Sequence, residues 1–326
     1  MRFGLIIVLT LGQIAGVQSP QAEISSSGTR AKLYLPDPQT GYYRGTRFDW
    51  SGVIASLEWN GHNYFGQWFE RYDPQIHDAI TGPVEEFLTN NSGLGYEEAK
   101  VGENFVRIGV GAVRKPEEPA YRRFATYEIV DPGKWTVTKA PDSVGFVHEL
   151  RETAGYAYVY RKNLRLTRDT LVLEHRLRNT GRKHISTSVY NHNFFTLDNQ
   201  PTGPGFAVRF RFEPRAIADL KGVAETQGKD FVYLQELQRG QTLFSELQGF
   251  GAAAADYDFR IENRNTGAGV RVTGDHPISK LLLWAARTTV CPEPYIDLSI
   301  EPGKESSWRI AYEFYQVPRP AANKVF

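Results

Sequence analysis

Ser188-Val189-Tyr190-Asn191-His192-Asn193-Phe194-Phe195-Thr196-Leu197-Asp198 is a run in which a histidine sits among alternating polar and aromatic residues, with a turn-rich segment directly after it. Strand side chains alternate between two faces, so Tyr190, His192 and Phe194 can share one face while Val189 falls on the other. That face carries one imidazole among aromatic rings. An isolated histidine of this kind is most often a core residue bonded to a neighbouring carbonyl, and the rest of the chain has to decide for or against that reading. The surrounding sequence keeps the same rhythm. Segments 126–131, 134–139, 144–152, 156–166, 171–179 and 184–196 read as strands, with hairpin corners expected at Thr167-Arg168-Asp169 and Asn179-Thr180-Gly181. Strands resume at 206–213, 257–263, 268–273, 278–286, 295–301 and 307–316. Short strands bounded by Gly, Asn and Asp at this spacing predict an all-β, large antiparallel sandwich.

Upstream, Tyr42 to Trp59 is expected to hold two strands, followed by a hairpin at Asn60-Gly61. Phe105 to Val113 alternates cleanly and reads as a strand. Residues 73–104 are the longest poorly patterned stretch, and 215–248 is a polar segment expected to include a short helix. With 326 residues the chain is long enough for one large core, and no Gly/Ser/Pro-rich linker divides it. The expected layout is a leader over 1–22, one sandwich domain over 23–318 and a tail over 319–326. The leader reading rests on Arg2, the apolar run Leu5 to Leu11 and the small and polar residues from Ala15 to Ala22. It places the protein outside the cytoplasm, in a periplasmic or extracellular setting. The apolar run is too short to span a bilayer. Lys and Arg number 38 against 37 Asp and Glu, and Arg2 belongs to the leader, so the remainder is balanced. Nothing in that balance calls for nucleic acid or a membrane surface as partner. Cys291 is the lone cysteine, which leaves no internal disulfide and no clustered Cys/His metal site.

Several side chains could carry chemistry. Glu293 lies in Val290-Cys291-Pro292-Glu293-Pro294, where flanking prolines are expected to bar a regular ladder and hold the carboxylate at the rim of a cleft. Asp256 and Asp258 open a strand. Arg107 alternates onto one face of its strand, and Arg47, Trp284 and Tyr190 are further candidates for lining a cleft. Arginine gives forked bonds to hydroxyls or anions, and aromatic faces stack on sugar C–H surfaces.

The order of these features resembles the aldose 1-epimerases, or galactose mutarotases, and the related hexose-6-phosphate epimerase-like proteins. Asn191-His192-Asn193-Phe194-Phe195 is similar to the family's Asn-His-x-Tyr/Phe-Phe pattern. Val290 to Pro294 resembles its Cys-x-Glu segment, and Ile300 to Ser306 with Trp308 and Tyr312-Glu313-Phe314 its closing turn and last strand. The resemblance spans roughly residues 40–316. It implies a galactose mutarotase-like supersandwich with a sugar cleft, His192 as acid, Glu293 as base, no metal and no cofactor. Arg107, Asn191, Asp256, Asp258 and Glu86 are the substrate-binding candidates. The partner implied is a small-molecule sugar or the end of a glycan. Family members usually carry an upstream His-Gly pair that helps hold the sugar, and none occurs here. His77, in Gln75-Ile76-His77-Asp78, does not match that motif, and the corresponding stretches, 82–87 and 94–98, are acidic. A non-catalytic carbohydrate-binding protein of the same fold is therefore the alternative.

Overall fold

The computed structural model describes residues 18–318, and all sequence expectations for residues 1–17 and 319–326 lie outside it. Among the described residues the regular elements are strands and two short 3₁₀ turns, Leu197–Asn199 and Ala254–Asp256. A ten-stranded antiparallel sheet runs, edge to edge, through Ala224–Gln227, Asp230–Tyr233, Phe206–Phe210, Asp258–Asn263, Ala268–Gly274, Glu305–Gln316, Thr170–Asn179, Tyr156–Thr167, Ser143–Thr153 and Lys134–Ala140. A six-stranded sheet faces it, ordered Arg215–Ala216, Thr242–Gln248, Lys280–Ala286, Thr289–Ile300, Ile185–His192 and Val84–Leu88. The expected all-β antiparallel sandwich is what forms.

Alternation explains the layering. Along Thr289–Ile300, the side chains of Val290, Ile296, Leu298 and Ile300 enter the main core between the sheets. Cys291, Glu293 and Tyr295 point to the opposite face of the same sheet. Along Ile185–His192, Ile185 and Val189 face the main core, while Tyr190 and His192 face away from it. That outer face is not left to solvent. A second aromatic cluster, with Tyr43, Phe48, Trp50, Phe105, Tyr127 and Phe194 at its centre, roofs it over.

Several local expectations change. Tyr42 to Trp59 yields one strand, Val53–Trp59. The preceding residues are buried but irregular, held by bonds such as Trp50 Nε1 to the Gly45 carbonyl at 2.8 Å. The supposed loop over 73–104 contains Val84–Leu88, buried at every position. Its pattern is unreadable because the buried positions include two glutamates, Glu85 and Glu86, each neutralised by partners distant in sequence. Asn179-Thr180-Gly181 is a crossing between the two sheets, not a hairpin corner, since Thr170–Asn179 and Ile185–His192 lie in different sheets. The helix expected within 215–248 is replaced by short strands. Gln21 and Ala22, assigned to the leader, belong to the first strand, Gln21–Ser26.

Candidate active site

The two motifs meet at a break in one ladder. Ile185–His192 pairs with Thr289–Ile300 from Ile185↔Ile300 up to Tyr190↔Tyr295. The same register resumes at Phe195↔Val290, where both residues donate an N–H to the other's carbonyl. Hydrogen-bonded pairs recur at every second residue of an antiparallel ladder. The next rungs would therefore be Asn193 with Pro292 and Asn191 with Pro294. Neither proline has an N–H, so two consecutive rungs lose a donor. Contrary to the sequence expectation, the prolines do not exclude this segment from the sheet. It stays paired on its other side with Lys280–Ala286, and the prolines open only the side that faces His192.

Within that gap His192 and Glu293 lie directly across from each other. His192 Nε2 is 3.1 Å from Glu293 Oε1, and both side chains are about 5% exposed. Phe194 takes a positive φ of 41°, which carries the chain off the strand and lays its ring flat on the imidazole at 3.7 Å. Phe48 and Trp284 meet the imidazole edge-on. Asn193 spans the gap, donating from Nδ2 to the Pro292 carbonyl at 2.6 Å and accepting from the Tyr312 hydroxyl at 2.9 Å. Gly82 packs so closely that a Cβ there would lie 2.3 Å from the Asn193 carbonyl oxygen, so only glycine fits.

Burial disfavours charge on both members of the pair. It pushes Glu293 up to about 8, with Arg47 and Arg123 pulling the other way. It pushes His192 well below the ordinary imidazole value, helped by Arg47 and opposed by Glu86. The pair therefore holds one proton near neutrality, resting on the carboxyl and not on the imidazole. His192 Nδ1 is buried and has no hydrogen-bond partner among the described residues.

The pair opens into a cleft of about 190 Å³ lined by Arg47, Trp68, His77, Asp78, Arg123, Phe124, His192, Phe194, Phe244, Leu282, Trp284 and Glu293. Phe124 and Phe244 are 58% and 55% exposed, which is unusual for rings of that size. Glu86 lies beneath this floor. Its carboxylate takes Arg47 Nε at 2.9 Å, Arg123 Nε at 3.0 Å and Nη2 at 2.7 Å, and the Tyr190 hydroxyl. Burial raises its pKa, but these cations more than offset it, so Glu86 stays ionised far below the usual carboxylate range. Glu86 thus orients Arg47 and Arg123 and does not itself line the cleft.

The other predicted binding residues lie elsewhere. Arg107 is buried and donates to the carbonyls of Thr46, Phe87, Ser92 and Arg47, clasping the chain behind the site. Asn191 points to the opposite face and bonds Glu85 at 2.9 Å, because its parity is the reverse of that of His192. Asp258 makes a two-pronged bond to Arg271 on the ten-stranded sheet, and Asp256 caps the Gly251 N–H. Both aspartates were placed by strand position alone; Asp258 opens a strand of the ten-stranded sheet, and Asp256 ends the 3₁₀ turn before it. Among the described residues there is no cluster of three or more His, Cys, Asp or Glu fit to hold a metal.

No family model matches this chain, and no curated protein does. Solved structures do. The Slr1438 protein from Synechocystis sp. PCC 6803 aligns over 94% of this chain and 100% of its own, at 15% identity and a TM-score of 0.58. The GalM/aldose epimerase homologue from C. elegans aligns over 92% and 99%, at 16% identity and 0.56. A galactose mutarotase-like protein from Clostridium acetobutylicum aligns over 90% and 95%, at 13% identity and 0.56. This is the galactose mutarotase-like fold. At such identities the likeness concerns the fold and says nothing of individual side chains.

Within that mutarotase-like frame, sequence reasoning missed Arg123, Phe124, Trp68 and Phe244. Arg123 and Phe124 sit on an irregular segment with no period to read. The Arg122-Arg123-Phe124 run, with no acidic residue among the three positions on either side, was the available signal. His77 was set aside for lacking a following glycine, yet it lines the cleft, its ring tilted against that of Phe124 at 4.9 Å. The acidic stretch expected to replace it lies apart: Glu86 is under the floor and Glu98 pairs with Lys183.

Proposed function

We propose that this protein is an exported aldose 1-epimerase-like isomerase, interconverting sugar anomers by proton exchange with His192 and Glu293. The observation that carries the reading is the buried pair itself, an imidazole and a carboxyl 3.1 Å apart opening into an aromatic-ringed cleft. Ring-opening needs one group to take the proton of the anomeric hydroxyl and another to protonate the ring oxygen. Starting from the neutral pair, His192 takes the O1 proton and Glu293 gives its proton to O5. The C1–O5 bond breaks as the C1 carbonyl forms. The aldehyde turns about the C1–C2 bond and recloses on its other face, His192 returning a proton to O1 and Glu293 taking one from O5. Both residues end as they began. The resemblance implies the opposite roles, with His192 as acid. Both assignments use a pair holding a single proton, and burial favours the neutral one as the starting state.

The other cleft residues suit a sugar. The Trp68, Phe124, Phe244 and Trp284 rings offer faces for C–H surfaces. Arg47 and Arg123 offer donors to hydroxyls, and His77 supplies the upstream imidazole that the sequence motif lacked. Export is proposed from the leader-like Arg2 and the apolar run Leu5 to Leu11 alone. The test is anomer equilibration of fresh α-glucose and α-galactose, followed by polarimetry. Acceleration over buffer supports the isomerase. Calorimetric binding of sugars without acceleration across a panel of aldoses makes this a carbohydrate-binding protein instead.

A further inference from the structure

We infer that the reacting ring is the reducing end of a neutral oligosaccharide, whose next unit lies in a groove beside the cleft. This rests on the isomerase reading and names its substrate class. The cleft, at about 190 Å³, is smaller than the roughly 300–1,000 Å³ of sites that enclose drug-sized ligands, and so suits a single ring. It is continuous with a second hollow of about 630 Å³, because Trp68, Asp78 and Trp284 line both. Trp68 is half-buried. It stacks on Phe194 at 4.8 Å on the cleft side and meets Phe69, which lines the groove, edge-on at 5.7 Å. The same indole therefore belongs to both compartments.

The arginines on the groove walls are compensated locally, and Asp78, whose ion partner is His77 at 3.4 Å, adds a carboxylate that repels an anionic unit. Arg239 bonds Glu70 at 2.5 Å, and Arg287 lies 3.4 Å from Glu236. Gln241 and Thr242 add polar groups without charge. An aromatic wall with neutral polar edges fits a neutral sugar unit better than a uronic acid or a phosphate. The chemistry fixes which end reacts. A glycosidic bond at C1 locks the anomer, so only the reducing-end ring can turn over, and the neighbouring unit must leave it through another ring oxygen.

The experiment compares glucose with maltose, maltotriose and cellobiose in the polarimetric assay, using native protein, Thr242→Arg and Phe69→Ala. Thr242 is exposed and outside the cleft, so an arginine there blocks the groove without entering the core. The expected result is a kcat/KM about tenfold higher for at least one oligosaccharide than for glucose, the size of one stacking contact. Thr242→Arg and Phe69→Ala should erase that gain while leaving the glucose rate within about twofold of native, since the gain is a binding contact outside the cleft. Glucose turnover with no oligosaccharide preference, or equal loss on every sugar in both variants, overturns the inference and leaves the isomerase standing. Should no sugar turn over, calorimetry decides: maltotriose binding weakened by Thr242→Arg supports the groove, and binding that is absent or unchanged overturns it.

Discussion

At the scale of single residues, the site is a proton ledger with one entry. Burial penalises charge on both Glu293 and His192, so under the proposed isomerase reading the loss of the proton they hold ends turnover. The rate of anomer exchange should fall on the alkaline side with an apparent pKa near the value of about 8 to which Glu293 is pushed. Polarimetry across pH 5 to 10 checks this, and a limb near the ordinary carboxylate range would contradict it. The same shift has a cost in stability. The folded-state pKa lies above the unfolded value of 4.5, so the folded state keeps its proton longer. Stability is therefore greatest below about 4.5 as far as this group is concerned, and falls as pH rises towards 8. Glu293→Gln removes that dependence. Its melting temperature should exceed that of the native protein at pH 8 and differ less at pH 4.5, which scanning calorimetry can read.

At the scale of elements, the site exists because a ladder opens and closes again in register. Pro292 and Pro294 remove two donors, Phe194 leaves the strand at positive φ, and Asn193 bridges the gap. Asn193→Ala would strand the Tyr312 hydroxyl and the Pro292 carbonyl in a dry interior. We expect a loss of about 1–3 kcal/mol in urea unfolding, the usual cost of leaving buried polar groups unmade. Gly82→Ala forces a Cβ against the Asn193 carbonyl and should cut activity more than it cuts stability, because the displaced backbone carries His192. This element was partly legible in the sequence. The Asn-His-x-Phe-Phe run and the Pro-Glu-Pro run marked the two sides. Their pairing could not be read, since register between segments about a hundred positions apart is set by the fold and not by local pattern.

At the scale of the molecule, the sandwich is joined through a buried charge cluster. Lys162 on the ten-stranded sheet reaches Glu85 on the six-stranded one, and lies 3.5 Å from Asp49. His175 Nε2 is 2.8 Å from the other Glu85 oxygen. Burial alone would raise Glu85, but Lys162 and His175 bring it down to about 2. Its contribution to stability is thus present above the ordinary carboxylate range and lost as pH falls towards 2. Lys162→Met leaves two carboxylates buried without their cation and should cost about 3–5 kcal/mol at pH 7 by urea unfolding. Consecutive glutamates therefore serve different ends: Glu85 ties the sheets together and Glu86 positions the arginines of the cleft. The architecture was legible because alternation and turn residues repeat along most of the chain. The tie made by Glu85 was not, because Lys162, His175 and Asn191 come from strands far away in sequence; nor were Arg123, His77 and the role of Glu86, whose contacts form only once the irregular segments fold over the outer face.

The most direct measurement is the polarimetric rate of anomer equilibration for native protein, His192→Asn and Glu293→Gln, each shown to be folded by circular dichroism. The account predicts acceleration by the native protein and a loss of about 10²–10⁴-fold in each variant, the usual contribution of a positioned acid or base. Variants that equilibrate the sugar as fast as the native protein would contradict it.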